Sequence, residues 1–290
     1  MRHRALPFIL MSRWATRARK FIGQILKTVL PARTFAQLTS TRARKYGLKV
    51  MRDNGLLEIS SRVVRHCGTT VLQGPFGGLR FPTEILLNIP CAQRLVGSYE
   101  KELHPIFQDL NQKMNYEMVV DIGCAEGYYA VGLAMLLQLP VFAFDVDAEE
   151  RRRCRETAEL NGVGSLLQIG SYCDRPTLRR LAHGKRCFVL SDCEGYEMEL
   201  FNHEAASNLW RSDVLIEIHE TQRIGVYDSI CKAFMTTHSI QIYEATARDV
   251  DEYPELGFLG VDNLKAIEEW RGARQKWVFL KSKVEMQQTQ

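Results

Sequence analysis

VVDIGCAEGYYAVGLA, Val119 to Ala134, is the stretch that decides the fold: an apolar strand that breaks at a glycine-rich turn and runs directly into a helix. Gly123 and Gly127 allow a tight turn and a close backbone approach that a side chain would block, the local chemistry of a nucleotide-type cradle at a helix N-terminus. The acids in the turn then select the ligand. A dinucleotide turn reads G-x-G-x-x-G and holds a pyrophosphate on the helix N-terminus, where an adjacent carboxylate would repel it. Here Asp121 precedes the turn and Glu126 lies inside it, which suits a cationic or zwitterionic ligand and argues against a diphosphate, hence against a nicotinamide-dependent oxidoreductase.

Working outward, strands and helices alternate. Val141 to Phe144 reads as a second strand ending at Asp145, 24 residues beyond Asp121. That is about the interval at which a βαβ unit presents a carboxylate to ribose hydroxyls, so Asp145 is read as the ribose ligand. Asp147 is its rival, assigned to cap a helix that begins at Ala148 and ends at Asn161-Gly162. The arginines 151, 152, 153 and 155 on that helix are read as a solvated face, with contact to an acidic substrate as the alternative. Ser165 to Ile169 supplies a third strand, followed by a loop in which Asp174 is read as a helix cap because Pro176 follows it. The fourth strand, Cys187 to Leu190, runs into Ser191-Asp192-Cys193-Glu194-Gly195-Tyr196-Glu197, and the fifth covers Asp213 to Glu220. Alternation puts Glu217 and His219 on one side of that strand, a carboxylate and an imidazole able to remove a proton from an acceptor hydroxyl. The alternatives are that Glu194 and Glu197 start a helix and that His219 is a hydrogen-bonded core residue. A helix over Tyr227 to Thr237 and strands at Ile240 to Tyr243 and Trp277 to Leu280 complete a doubly wound, mostly parallel seven-stranded sheet.

With 290 residues, 46% of them hydrophobic, the chain can bury one α/β core with an N-terminal extension. The formal net charge of +4 hides a split: residues 1–52 hold thirteen Lys/Arg and no acid, so residues 53–290 hold 25 Lys/Arg against 34 Asp/Glu. Bulk charge does not mark the domain as a nucleic-acid binder, and such a partner is not expected. The eight cysteines fall singly, without a C-x-x-C pair, and read as reduced thiols of a cytoplasmic protein. Four segments are expected: a basic amphipathic arm over 1–52, a cap over 53–95 with a hairpin at Thr70 to Phe81, a catalytic domain over 96–285, and a tail over 286–290. On the arm, Trp14, Phe21, Ile25 and Leu26 share a helical face opposite arginines; Leu6 to Met11 is too short to span a membrane, so a transmembrane anchor and a secretory signal are rejected. Four readings of the arm stay open: peripheral attachment to an anionic membrane surface, a helical cap, a disordered arm and a transit peptide.

Together, DIGCAEGYYA (121–130), AFDVD (143–147), SDCEGYEMEL (191–200) and IEIHE (216–220) resemble the FkbM-like branch of the class I S-adenosylmethionine-dependent methyltransferases, over roughly residues 95–282. The resemblance implies a Rossmann-like fold whose last strand is antiparallel, with S-adenosylmethionine as cofactor. It places Asp121, Gly123, Cys124, Ala125 and Gly127 at the methionine end, Asp145 and Val146 at the ribose, and Ser171 and Tyr172 at the adenine. Tyr99 and Glu100 approach from before the cradle and Asp192 from after the fourth strand; the bland reading of Glu100 is a first-turn acid of a helix capped by Ser98. The implied reaction is O-methylation of a hydroxyl on a sugar, glycan or other small-molecule natural product. His219 or Asp192 would take the proton, with Glu194 and Glu217 orienting it, and Glu252 and Glu255 lie in a loop that would cover the acceptor. A divalent metal held by Asp192, Glu194 and His219 is a lesser alternative. The competing functions are a nucleic-acid or protein methyltransferase that uses the arm, and a catalytically silent cofactor-binding module.

Overall fold

In the computed structural model, which describes residues 49–113, 115–269 and 275–284, seven strands form a single sheet. They are β1 (Met118–Ile122), β2 (Val141–Phe144), β3 (Leu167–Gly170), β4 (Cys187–Ser191), β5 (Asp213–Glu217), β6 (His238–Glu244) and β7 (Lys276–Ser282). Their order is β3-β2-β1-β4-β5-β7-β6. β1 pairs in parallel with both β2 and β4, and β7 runs antiparallel to β5 and β6. This is the doubly wound arrangement with an antiparallel last strand that the sequence led us to expect. The order reverses between β1 and β4, and the crevice outside the carboxyl ends of those two strands is where open α/β sheets bind ligands.

The helices are α1 (Leu56–Cys67), α2 (Thr83–Asn88), α3 (Ala92–Val96), α4 (His104–Lys113), α5 (Tyr128–Leu137), α6 (Ala148–Leu160), α7 (Arg175–Ala182), α8 (Glu197–Leu200), α9 (His203–Asn208), α10 (Val226–Phe234) and α11 (Asn263–Ile267). Because side chains alternate along a strand, each central strand feeds two cores. Val119, Ala143, Leu190 and Leu215 pack with α1 to α6 and α11, whereas Val120, Val189, Val214 and Ile216 pack with α7 to α10. Both faces being covered explains why β1, β4 and β5 are buried along their whole length.

Ahead of the sheet, Thr70 and Arg80 form an isolated antiparallel bridge where two short strands were expected, so the segment folds back on itself outside the main sheet without forming strands. Its tip residue Phe76 lies on Gly132 of α5, where any Cβ would strike the ring, and edge-on to Tyr128 and Tyr129. Several local expectations differ from what forms. Ser98 caps no helix: its hydroxyl donates to the Ile267 carbonyl at 2.9 Å, and α4 is entered instead through a short 3-10 turn at Lys101–Leu103. β5 stops at Glu217, so His219 and Glu220 belong to the loop beyond it. The third strand begins at Leu167 because a 3-10 turn takes Gly164–Leu166. The basic arm lies outside the described residues up to residue 48, as does the tail at 286–290. Among the described residues no helix is long and apolar enough to cross a membrane.

Candidate active site

The cradle is built by β1, its turn and α5. Gly123 adopts φ 95°, and a Cβ on it would overlap the carbonyl oxygen of Asp192, so the turn closes directly onto the chain leaving β4. The Asp192 N–H donates to the Ile122 carbonyl at 2.9 Å, which ties the two strand ends together. Gly127, at φ 99°, starts α5 with Cys154 of α6 packed where its Cβ would be. Cys124 is buried, and Ala125, although not glycine, sits at φ 45°. Asp121 is fully buried, its carboxylate has no side-chain hydrogen-bond partner among the described residues, and the backbone N–H of Ala130 lies close to it. Burial, then the charges of Asp192 and Asp145, push its carboxyl up to about 8, with the Ala130 backbone N–H acting in the opposite sense. A buried carboxyl without a side-chain partner is costly, and Asp121 lies one residue before the carboxyl end of β1.

Asp145 holds the second wall. Its carboxylate accepts the N–H of Ala125 at 3.0 Å and of Asp147 at 2.8 Å, locking the cradle turn to the end of β2. Burial pushes its pKa up to about 6, opposed by those two hydrogen bonds. Two N–H donors leave acceptor sites on a carboxylate for vicinal hydroxyls. Asp147 caps α6 through the Glu149 N–H and Asp174 caps α7 through the Thr177 N–H, as their spacing suggested. The arginines of α6 are a solvated face only in part: Arg155 is exposed and Arg152 pairs at the surface with Glu149 and Glu156, whereas Arg151 donates to the Asp145 carbonyl at 2.7 Å and Arg153 is buried against Glu150. Val146 is half-buried between the two acids. Ser171 and Tyr172 follow β3, and the Asp145 N–H donates to the Gly170 carbonyl at 3.2 Å, bringing that loop beside the cradle. Tyr172 meets Tyr196 with ring centroids 5.5 Å apart.

Beyond β4 and β5 the acids converge on one imidazole. His219 Nε2 lies 3.4 Å from Asp192, 3.7 Å from Glu194 and 3.7 Å from Glu217, so Glu217 and His219 do meet, although His219 lies beyond the end of β5 rather than in the strand. The opposite ring nitrogen, Nδ1, is 2.5 Å from Glu197, whose carboxylate is buried and also accepts the Gly195 N–H at 3.1 Å. Burial alone would lower the His219 pKa, but the Glu197 hydrogen bond and the charges of Asp192, Glu197 and Glu194 outweigh it and raise it to about 9. Glu197 does start α8, and it is also the residue that orients His219. The sequence offered no local signal for that, because the two are 22 positions apart. Asp192, Glu194 and His219 offer donor atoms within 4.8 Å of one another, compact enough for a divalent ion, yet His219 would have to lose a proton that its neighbours hold in place. Among the described non-glycine residues with positive φ, Ala125, Glu194 and Glu100 all sit in turns of this region, and backbone strain of this kind concentrates at functional sites.

The segment before the cradle divides in two. Tyr99 is half-buried, with the Arg94 guanidinium 4.5 Å above its ring and Tyr128 edge-on at 5.4 Å. Glu100, by contrast, is neither exposed to the crevice nor a first-turn helical acid: it is fully buried at φ 45° and its carboxylate accepts the Tyr129 hydroxyl. Arg94 also pairs with the buried Glu126 at 2.9 Å, which accounts for the second acid of the cradle turn.

No family model matches the sequence. Over 50 residues, 17% of the chain, it is 40% identical to the ribosomal protein L11 methyltransferase of Rhodopseudomonas palustris (strain BisB5), and it spans 17% of that protein's length. Among solved structures it is similar to an rRNA methylase from Streptococcus thermophilus, at 12% identity and a TM-score of 0.45, with 63% of this chain and 98% of that chain covered. It is similar also to a human methyltransferase 10 domain containing protein, at 16% identity and a TM-score of 0.44, with 76% and 96% covered.

Proposed function

We propose that the protein is an S-adenosylmethionine-dependent methyltransferase whose acceptor presents a hydroxyl, with sugars, glycans and other small natural products as the leading acceptor class. The observation that carries this reading is the cradle itself: a turn at Gly123 too tight for any side chain, next to Asp121, a buried carboxyl with no side-chain hydrogen-bond partner among the described residues. A zwitterionic cofactor with a positive sulfonium and ammonium fits that carboxyl, whereas a diphosphate does not. When bound, S-adenosylmethionine supplies an activated methyl group, so the protein's task is alignment and exclusion of water. Gly123 and Gly127 give the backbone its close approach, and Asp145 offers its remaining lone pairs to ribose hydroxyls. A His219 that already carries its proton at neutral pH cannot accept another, so we assign the proton-accepting role to Asp192, with the His219 cation beside it. Glu194 and Glu217 flank the same ring nitrogen that Asp192 faces, and the charge of Glu194 helps to hold the imidazole proton.

Calorimetric binding of S-adenosylmethionine tests the reading. As pH rises from 6.0 to 7.5, the ionised fraction of a carboxyl that titrates at about 8 grows about 20-fold and that of Asp145, at about 6, about twofold, so wild-type affinity rises about 40-fold. Asp121→Asn removes the rise except for the roughly twofold that Asp145, at about 6, still provides. Absence of binding by the folded wild-type protein at any pH overturns the proposal.

A further inference from the structure

Arg248 lies in the segment between β6 and β7. Its side chain is 3% exposed, and all five of its N–H donors are used. Nε donates to the Ser98 carbonyl at 3.0 Å, and Nη1 to the carbonyl and hydroxyl of Thr246 at 2.6 and 3.1 Å. Nη2 donates to Glu102 at 2.9 Å and to Glu269 at 2.7 Å. The Glu269 oxygen that receives Arg248 also accepts the Glu100 N–H at 2.8 Å. Glu100 in turn receives the hydroxyl of Tyr129, the second residue of α5 after Gly127. A continuous polar path therefore runs from Arg248 through Glu269 and Glu100 to the first turn of the cradle helix.

Glu100 needs such support. A non-glycine residue in the left-handed region is strained and persists where its surroundings over-determine it. A lysine at 248 would bring the same charge but three donors on a point rather than a planar fork, so it cannot reach Ser98, Thr246, Glu102 and Glu269 together. We propose that Arg248 is a positioning residue: acting through Glu269 it holds Glu100 in its left-handed conformation, fixes Tyr129 and the first turn of α5, and so couples the segment between β6 and β7 to cofactor binding. This rests on the cofactor reading above.

A double-mutant cycle on the full chain tests the coupling, because a merely stabilising arginine would not produce it. S-adenosylmethionine affinity is measured calorimetrically for Arg248→Lys, Tyr129→Phe and the double variant, with melting temperatures alongside. Each single change is expected to weaken binding about tenfold, and the double variant no more than the weaker single one, since both cut the same path. Additive losses, or unchanged affinity with only a lowered melting temperature, overturn the proposal. If Arg248→Lys does not fold, Glu269→Gln replaces it in the cycle. If the wild-type protein does not bind the cofactor, the functional reading fails, and hydrogen exchange then decides the positioning role separately. The Glu100 amide and the amides at the start of α5 are expected to exchange at least tenfold faster in Arg248→Lys or Glu269→Gln, and unchanged exchange there refutes it.

Discussion

Asp121→Asn is expected to make the cofactor-free protein more stable, and the gain has a definite pH dependence. The native carboxyl titrates at about 8, against about 3.9 for an unfolded chain. Below pH 4 both states hold the proton, and the residue contributes no pH-dependent penalty. As pH rises from 4 toward 8 the unfolded chain releases its proton while the native site keeps it, so the native state loses about 1.4 kcal/mol per pH unit. Above 8 both states are ionised and the loss stops growing. Between pH 4.5 and 7.5 the difference amounts to about 4 kcal/mol. Asparagine cannot ionise, so the variant escapes this loss; whatever its amide costs in the same place is independent of pH and cancels in the comparison. At about 2 °C per kcal/mol for a chain of this size, the melting temperature of the variant relative to wild type should be roughly 8 °C higher at pH 7.5 than at pH 4.5. Scanning calorimetry of both proteins without cofactor across that range measures it directly. A difference that stays flat with pH would mean that the native carboxyl is ionised and paired, and the account of the cradle given above would fall. A gain in stability together with a loss of cofactor affinity is the trade-off expected of a residue kept for binding rather than for folding.

Two further changes test the neighbouring geometry. Gly123→Ala places a methyl group into the Asp192 carbonyl at a backbone angle that disfavours side chains; it should cost at least about 3 kcal/mol in denaturant unfolding and abolish cofactor binding, and a variant with near wild-type stability would contradict the described closure. Glu197→Gln removes the charge at Nδ1 of His219 while keeping its shape, so the imidazole pKa should fall from about 9 by about one unit or more in an NMR titration, and an unmoved value would show that Asp192 and Glu194 alone hold the proton.

Much of the site follows from local pattern, for a reason that lies in parallel sheets. All their strands end on one edge, so an acid that closes a strand in the sequence is delivered to that edge whatever its neighbours turn out to be. Asp121, Asp145 and Asp192 were legible in this way, as were the caps Asp147 and Asp174, whose partners lie two or three residues away. The expected meeting of Glu217 with His219 is observed as well, although His219 sits in the loop beyond β5 and not in the strand whose alternation suggested it.

The tertiary structure decided what depends on side chains meeting across the chain. Glu197 clamps His219 from 22 positions away, and that contact turns a plausible general base into a held cation. Glu100, which reads as an ordinary helical acid, is sealed against Tyr129, and Arg248 reaches Ser98 across 150 positions. A run of residues specifies backbone geometry through sterics and hydrogen bonding to near neighbours. The protonation state of a buried group is set instead by desolvation and by the charges that packing brings within a few ångströms, and neither is defined until the two cores have closed around the sheet.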